Sequence, residues 1–234
     1  MTEFVLPPPP VASVATAAGK RFAVRRIFCV GRNYAAHARE MGKDPTREPP
    51  FFFLKPADAV VDDGAIIAYP PETANFHYEI ELVVAIGRDG ANIPEAEALS
   101  HVWGYGVGID LTRRDLQLAA RDAGRPWDWG KGFDRSAPIA PLHAASAIGH
   151  PHSGRIWLKV NDEVKQDQDI ADLIWSVPEI IAIASRSMAL RSGDLIMTGT
   201  PAGVGPVVAG DRITGGIDGL GEISITIAAR AMAA

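Results

Sequence analysis

Twenty-three glycines and 18 prolines are spread through a chain of 234 residues, and this punctuation constrains the fold more than any other feature. Both residues break helix interiors, glycine through backbone entropy and proline through its missing N–H and ring clash. A helical bundle is thereby excluded, and short strands joined by many tight turns are favoured. Hydrophobic residues at 47% and charged residues at 22% are globular values, which rules out a disordered chain, a coiled coil and a collagen-like repeat. The length fits one large domain or two small ones, and a chain of this size buries a core without disulfides.

Charge and cysteine usage exclude further classes. Twenty-three basic residues against 28 acidic ones give a formal net charge of −5, and no long Lys/Arg run offers a nucleic-acid surface. Cys29 is the single cysteine, so neither an intramolecular disulfide nor a thiolate zinc site can form. Within Ile27-Phe28-Cys29-Val30 it reads as a small buried residue. No apolar stretch reaches membrane-spanning length, because Pro178 and Glu179 interrupt the longest candidate. The start of the chain lacks a signal-peptide pattern, its first cation being Lys20. A soluble, cytoplasmic protein in a reducing compartment is expected.

Residues 1–24 read as an N-terminal arm, with Pro7 to Pro10 stiff and extended and small residues of little burial potential after them. Residues 25–234 read as a single domain without linker or repeat. Strands are expected at Arg26 to Val30, 78–86, Arg155 to Val160, Leu195 to Thr198 and Gly221 to Ile227. Helices are expected from Asn33 to Met41, stopped by Gly42, and from Thr112 as N-cap to Ala123, with Gly124 as C-cap. A third runs from Ser176 to Ser187, with Pro178 in its first turn and Glu179 three residues after the cap. Strands outnumber helices without the alternation of a doubly wound sheet.

The run His77-Tyr78-Glu79-Ile80-Glu81 places His77, Glu79 and Glu81 on one face of a strand, with Ile80, Leu82 and Val84 on the other. A solvated strand face explains such a pattern as well as a site does. Asp110 shifts the balance, because it ends the apolar, Gly-rich run Gly104 to Ile109, an odd place for an unpaired charge. Glu79, Glu81 and Asp110 would form an all-oxygen set suited to Mg²⁺ or Mn²⁺, and poorly suited to zinc. His37 and Glu40, three apart on one helix face, could form a general base with its orienting carboxylate, although spacing alone favours an exposed surface pair. The loop Gly199 to Gly205 could cradle an anion through its N–H groups but lacks the lysine of a P-loop. Gly104, Gly106 and Gly108 before Asp110, with Gly199, Gly203 and Gly205 around Thr200, suggest backbone approaching a ligand closely. Arg113, Arg114, Gln117 and Lys131 supply polar and cationic groups near the acidic set in sequence. His150 and His152 lack a third ligand nearby and read as surface residues.

In this order the motifs resemble the fumarylacetoacetate hydrolase family, and in particular its acylpyruvase branch. The resemblance runs from about Arg26 to Ile227. It is carried by Cys-Val-Gly-Arg-Asn-Tyr at 29–34, His37 with Glu40, Phe-Leu-Lys-Pro at 53–56 and His77-x-Glu79-x-Glu81. Asp110-Leu-Thr-Arg-Arg114-Asp-Leu-Gln117, Lys131-Gly-Phe-Asp and Gly-Thr-Pro-x-Gly-Val-Gly-Pro at 199–206 complete it. It implies a β-rich α+β fold of rolled mixed sheets, a homodimer, and Mg²⁺ or Mn²⁺ held by Glu79, Glu81 and Asp110. It further implies a lid helix carrying His37 and Glu40 that activates water, Lys131 beside the reacting oxygens, and Arg32, Arg114, Gln117 and Thr200 as substrate-binding residues. The implied activity is hydrolysis of the C–C bond of a 2,4-dioxo acid, fumarylpyruvate to fumarate and pyruvate in the gentisate pathway of aromatic catabolism. Oxaloacetate decarboxylation and isomerisation or decarboxylation of homoprotocatechuate-pathway intermediates follow from the same enolate chemistry. A binding protein that kept the scaffold without activity is the non-enzymatic alternative; the presence of all three carboxylates and both lid residues argues against it.

Overall fold

The computed structural model describes residues 3–40 and 48–230. Its centre is a mixed sheet of eight strands. The order runs Phe51–Lys55, Arg26–Gly31, Asp194–Met197, Ile80–Ile86, Val102–Ile109, Ala137–Ile139, Val60–Asp62, with His143–Ala144 pairing on Val102–Ile109. A second, five-stranded sheet is ordered Glu163–Asp169, Arg155–Val160, Arg212–Ile217, Gly221–Ala228, Ile66–Ala68. A small sheet of Thr112–Arg113, Phe76–Tyr78 and Gly205–Val207 lies at the end of the central strands. No helix of the described residues is long and apolar enough to cross a membrane. The β-rich α+β architecture of curled mixed sheets expected from the sequence is therefore present.

The strand Ile80–Ile86 organises the core because all seven of its residues are buried. Ile80, Leu82, Val84 and Ile86 enter the large core shared with the five-stranded sheet and the helix Val177–Ser187. Val83 and Ala85 enter a smaller core on the opposite face with Ile27, Cys29, Leu195 and Met197. A strand covered on both faces must be apolar at almost every position, so the one polar residue inside it, Glu81, stands out.

Four of the five expected strands form to within a residue at each end, the fifth, 78–86, is divided at Glu79 into Phe76–Tyr78 and Ile80–Ile86, and Cys29 is buried. The helix Val177–Ser187 starts as its sequence dictates, with the Glu179 carboxylate accepting from the Ser176 N–H at 2.9 Å and hydroxyl at 2.8 Å. Three expectations require correction, two of them about where elements lie. The helix after Asp110 starts at Arg114, because Thr112 and Arg113 pair as a short strand with Phe76 and His77; Thr112 is not its cap. Residues 13–23 form a hairpin, and Val14 and Val24 are buried in the smaller core, so the segment after the proline run does have burial potential. Leu142 accepts from the Ala17 N–H and donates to the Ala15 carbonyl, both at 2.9 Å, which fixes the hairpin to the body. Gly42 and Met41 lie outside the described residues, and the helix is described over Ala35–Glu40.

The glycines of Val102–Ile109 serve packing instead of ligand approach. A Cβ on Gly108 would lie 2.6 Å from Val83 Cγ2, and one on Gly104 would lie 2.1 Å from the His143 carbonyl oxygen. Gly203 is equally constrained, its φ of +97° and a Cβ position 1.9 Å from the Lys165 carbonyl both demanding glycine.

Asp194 ties the start of the body to the central sheet. Fully buried, it accepts from Arg25 Nη1 at 3.1 Å, Arg26 Nε at 3.1 Å, Arg26 Nη2 at 3.0 Å and the Arg191 N–H at 2.8 Å. Both arginines can turn to solvent once released, so the loss is smaller than for a wholly buried pair. Asp194→Ala is expected to lower the unfolding free energy by about 2 to 3 kcal/mol in urea denaturation, the scale of charge-assisted hydrogen bonds.

Candidate active site

Three carboxylates meet where the central hairpin ends. Glu79 sits between the strands Phe76–Tyr78 and Ile80–Ile86, Glu81 lies on the latter, and Asp110 directly follows Val102–Ile109. Register pairs Glu81 with Gly108 and Ile80 with Ile109, and the Asp110 N–H donates to the Glu79 carbonyl at 2.8 Å. One oxygen from each carboxylate lies within 4.8 Å of the others, and all three residues are buried. The alternation read from the sequence thus holds for Glu79 and Glu81. His77 does not join them: its Nε2 faces Asn75 Oδ1 at 2.8 Å, and Arg114 Nε donates to its Nδ1 at 3.4 Å. Burial first, then the Arg114 charge, lowers the His77 pKa to about 4, so the ring is neutral.

Buried carboxylates need positive partners, and three cations provide them. Lys131 Nζ donates to Glu79 Oε2 at 2.8 Å, Asp110 Oδ2 at 2.6 Å and Thr112 Oγ1 at 2.7 Å. Lys55 Nζ lies 2.8 Å from Asp110 Oδ1 and donates to the Leu111 carbonyl at 3.1 Å. Arg114 pairs with Glu79 and with Gln117. Burial pushes the Glu79 pKa up, but Lys131 and Arg114 overcome it and hold the group below the usual carboxylate range. Burial lowers and the two carboxylates raise the Lys131 pKa; the carboxylates prevail, and the ammonium stays charged.

Glu81 is treated differently. Its hydrogen bond is from the Gly199 N–H, at 2.7 Å, and no salt bridge to it forms among the described residues. Burial, then the charges of Asp110 and Glu79, push its pKa well above the ordinary value. Among the described residues the three cations thus pair with Glu79 and Asp110, and Glu81, which lines the cavity, has none of its own.

Across that cavity stands the pair on the helix Ala35–Glu40. His37 Nδ1 lies 3.0 Å from Glu40 Oε2, and His37 is only 6% exposed. It lines the same cavity as Glu79, Glu81, Arg114, Lys131 and Thr200, so this is not an exposed surface pair. Burial works against ionisation of Glu40, but hydrogen bonds from His37 and the Gly203 N–H lower its pKa. The loop Gly199 to Gly205 does bind anions, but those anions are the protein's own carboxylates, Glu81 through Gly199 and Glu40 through Gly203 at 3.2 Å.

Thr200 is buried, and its Oγ1 accepts from Gln166 Nε2 at 2.8 Å, which leaves its hydrogen for the cavity. Arg32 lies at the rim with its guanidinium 5.0 Å over the Phe51 ring. The structure thus brings together eight of the ten expected residues along the cavity wall, with Glu40 held behind it on His37 and Asp110 on Lys131. His150 and His152 are exposed as expected, the former bonded to the Tyr105 hydroxyl at 2.7 Å. Residue reading gave no role to Lys55 or Gln166. A lysine closing the aromatic run Phe51-Phe52-Phe53-Leu54 was the available signal for the first; Gln166 gave none.

Comparisons with known proteins agree with this geometry. Residues 26–228 match the profile described as Fumarylacetoacetate (FAA) hydrolase C-terminal. The chain is 48% identical over 187 residues to a fumarylpyruvate hydrolase of Ralstonia sp, covering 79% of this chain and 95% of that one. It is 41% identical over 205 residues to a mitochondrial oxaloacetate tautomerase of Arabidopsis thaliana, covering 88% and 92%. The crystal structure of fumarylpyruvate hydrolase from Pseudomonas aeruginosa in complex with Mn²⁺ and pyruvate superposes with a TM-score of 0.96 at 55% identity, over 97% of this chain and all of that one. With a family match that takes in the whole central sheet and both halves of the cavity, this chain belongs to the fumarylacetoacetate hydrolase family.

Proposed function

We propose that the protein is a metal-dependent hydrolase that cleaves the C–C bond of an acylpyruvate, converting fumarylpyruvate to fumarate and pyruvate. The observation that carries this reading is the uncompensated, buried Glu81 beside Glu79 and Asp110, across one cavity from the His37–Glu40 pair. The donor set is all oxygen and its Glu81 carboxylate has no cation of the protein paired with it among the described residues, which fits a hard divalent cation, Mg²⁺ or Mn²⁺. The described contents of the Pseudomonas structure, Mn²⁺ and pyruvate, support both the metal and the product. When bound, the cation supplies polarisation of the substrate's 2-oxo acid end and a sink for the charge of the departing pyruvate enolate.

The protein's own groups account for the remaining chemistry. The ionised Glu40 carboxylate can only accept, so His37 Nδ1 carries a hydrogen and Nε2 holds the lone pair. That nitrogen takes a proton from a water attacking the distal carbonyl carbon. The C–C bond then breaks, its electron pair leaves with the pyruvate fragment as an enolate, and a proton on C3 completes pyruvate. Lys131, its three hydrogens committed to Glu79, Asp110 and Thr112, acts as a fixed positive charge beside the reacting oxygens. Arg114 and Gln117 orient the oxo acid end, Thr200 donates to its carboxylate, and Arg32 contributes from the rim.

A catalytic domain over residues 25–234 with residues 1–24 appended is supported by the family match over 26–228. A cytoplasmic homodimer serving aromatic catabolism completes the reading; the single buried cysteine and the acidic charge balance support the compartment. Oxaloacetate is the second candidate substrate, favoured by the oxaloacetate tautomerase relatives and by an identical 2-oxo acid end.

Loss of the ultraviolet absorbance of fumarylpyruvate should follow addition of protein with Mn²⁺ or Mg²⁺ and stop with excess chelator; turnover that ignores the chelator sinks the metal requirement. At about 100 times its Kd, Mn²⁺ should stabilise the fold by about 2.7 kcal/mol, a rise of several degrees in Tm. Glu81→Ala should remove that rise. His37→Ala should lower kcat by about 10²- to 10⁴-fold while the Mn²⁺-induced rise in Tm persists; wild-type kcat in this variant would remove His37 as the base.

A further inference from the structure

The sequence shows no residue that reads the far end of the acyl chain, but the cavity does. An aromatic wall leads outward from the ionic centre. Lys131 Nζ lies 5.1 Å over the Phe53 ring, Phe53 and Trp127 stand 5.6 Å apart, Trp127 meets Phe51 edge-on at 5.1 Å, and Arg32 lies 5.0 Å over Phe51. The cavity opens at this end into an outer groove that shares Arg32, Phe51, Phe53, Arg121 and Trp127 with it. A flat, conjugated acyl chain matches such a wall, and its end would arrive between two guanidinium groups.

Arg32 is placed there deliberately. Its φ of +57° is a left-handed conformation that non-glycine residues adopt at a cost, typically at functional sites. Gly31 beside it leaves no room for a Cβ, which would lie 2.0 Å from the Phe51 ring, so ring and arginine are held in fixed relation. Arg32 forms no salt bridge among the described residues; the ring contact with Phe51 is what it makes. Arg121, on the helix Arg114–Asp122, pairs through Nε and Nη2 with the exposed Asp122 at 2.8 Å, a contact that solvent weakens.

We propose that Arg32 and Arg121 form the receptor for a second carboxylate at the distal end of the acyl chain, making the site selective for acylpyruvates that end in an acid. This rests on the acylpyruvate reading above. A guanidinium fork matches a carboxylate in plane and charge, and Arg32, unlike Arg121, has no salt bridge among the described residues to give up.

The test compares fumarylpyruvate with acetylpyruvate, whose acyl end is a neutral methyl group, using the Mn²⁺-loaded protein. The ratio of kcat/KM for the two substrates should fall about 10- to 100-fold in Arg32→Met, the range of one charge-assisted hydrogen-bonded pair. The change should lie in KM for fumarylpyruvate, and Arg32→Lys should recover part of it. Arg121→Met should lower the ratio less, about 3- to 10-fold, because Asp122 already shares that guanidinium. Competitive inhibition of acetylpyruvate hydrolysis by fumarate should weaken in both variants, a reading available from the surface variant alone if Arg32→Met does not fold. A ratio within twofold of wild type in both variants overturns the receptor while leaving acylpyruvate hydrolysis standing. An equal, salt-relieved loss for both substrates also overturns it, since that reports electrostatic steering. Wild-type protein that turns over neither substrate removes the acylpyruvate reading, and the receptor with it.

Discussion

The structure depends on charge compensation around three buried carboxylates. Each ion taken from water costs several kcal/mol unless paired at close range with its remaining valences satisfied. Glu79 and Asp110 meet that condition through Lys131, Lys55 and Arg114. These five side chains come from the central hairpin, the strand Phe51–Lys55, the helix Arg114–Asp122 and the short helix Asp128–Lys131. The ionic cluster therefore joins four separate elements and helps fix where the two short helices sit against the sheet. Glu81, bonded to one backbone N–H, is left as the place where the protein expects a charge from outside.

The two walls of the cavity are supported in different ways. The carboxylate wall stands on strands buried on both faces and bonded to neighbours on both sides. The His37–Glu40 wall sits on the helix described over Ala35–Glu40, where the Glu40 carboxylate accepts from the Gly203 N–H of the facing loop at 3.2 Å. A rigid wall suits groups that must hold a fixed geometry, and a lightly tethered one suits groups that must admit substrate before closing over it.

Much of this was legible in the sequence because the signals were local. Period-two alternation placed Glu79 and Glu81 on one face, and spacing of three put His37 beside Glu40. Asp110 stood out as a charge closing an apolar strand. What could not be read were contacts set by the return of distant segments. Lys55 meets the Leu111 carbonyl across 56 positions, and Ile80 donates to Gln166 across 86. The glycines of Val102–Ile109 were misread for the same reason: the atoms that forbid a Cβ there, from Val83 and His143, come from other strands. Thr112 was a plausible helix cap until a strand partner, Phe76–Tyr78, and the Lys131 ammonium claimed its backbone and hydroxyl. The hairpin at 13–23 looked like an appendage because its one deeply buried apolar residue, Val14, is isolated among small ones.

Charge counting links the buried cluster to substrate choice. With Glu81 ionised, its three carboxylates and three cations sum to zero. A divalent cation at the site adds two positive charges, and a substrate with one carboxylate cancels only one of them. An acylpyruvate that carries an acid at both ends cancels both, one at the oxo acid end and the other further out. In a low-dielectric cavity the uncancelled charge is felt over several ångströms, so the preference for a dianion is built into the ionic centre itself. The arginines at the rim convert that general preference into a position, since they fix how far from the centre the second negative charge must lie. Acyl chains too short to span the aromatic wall satisfy the charge balance without reaching the rim, which is the physical distinction between oxaloacetate and fumarylpyruvate in this site.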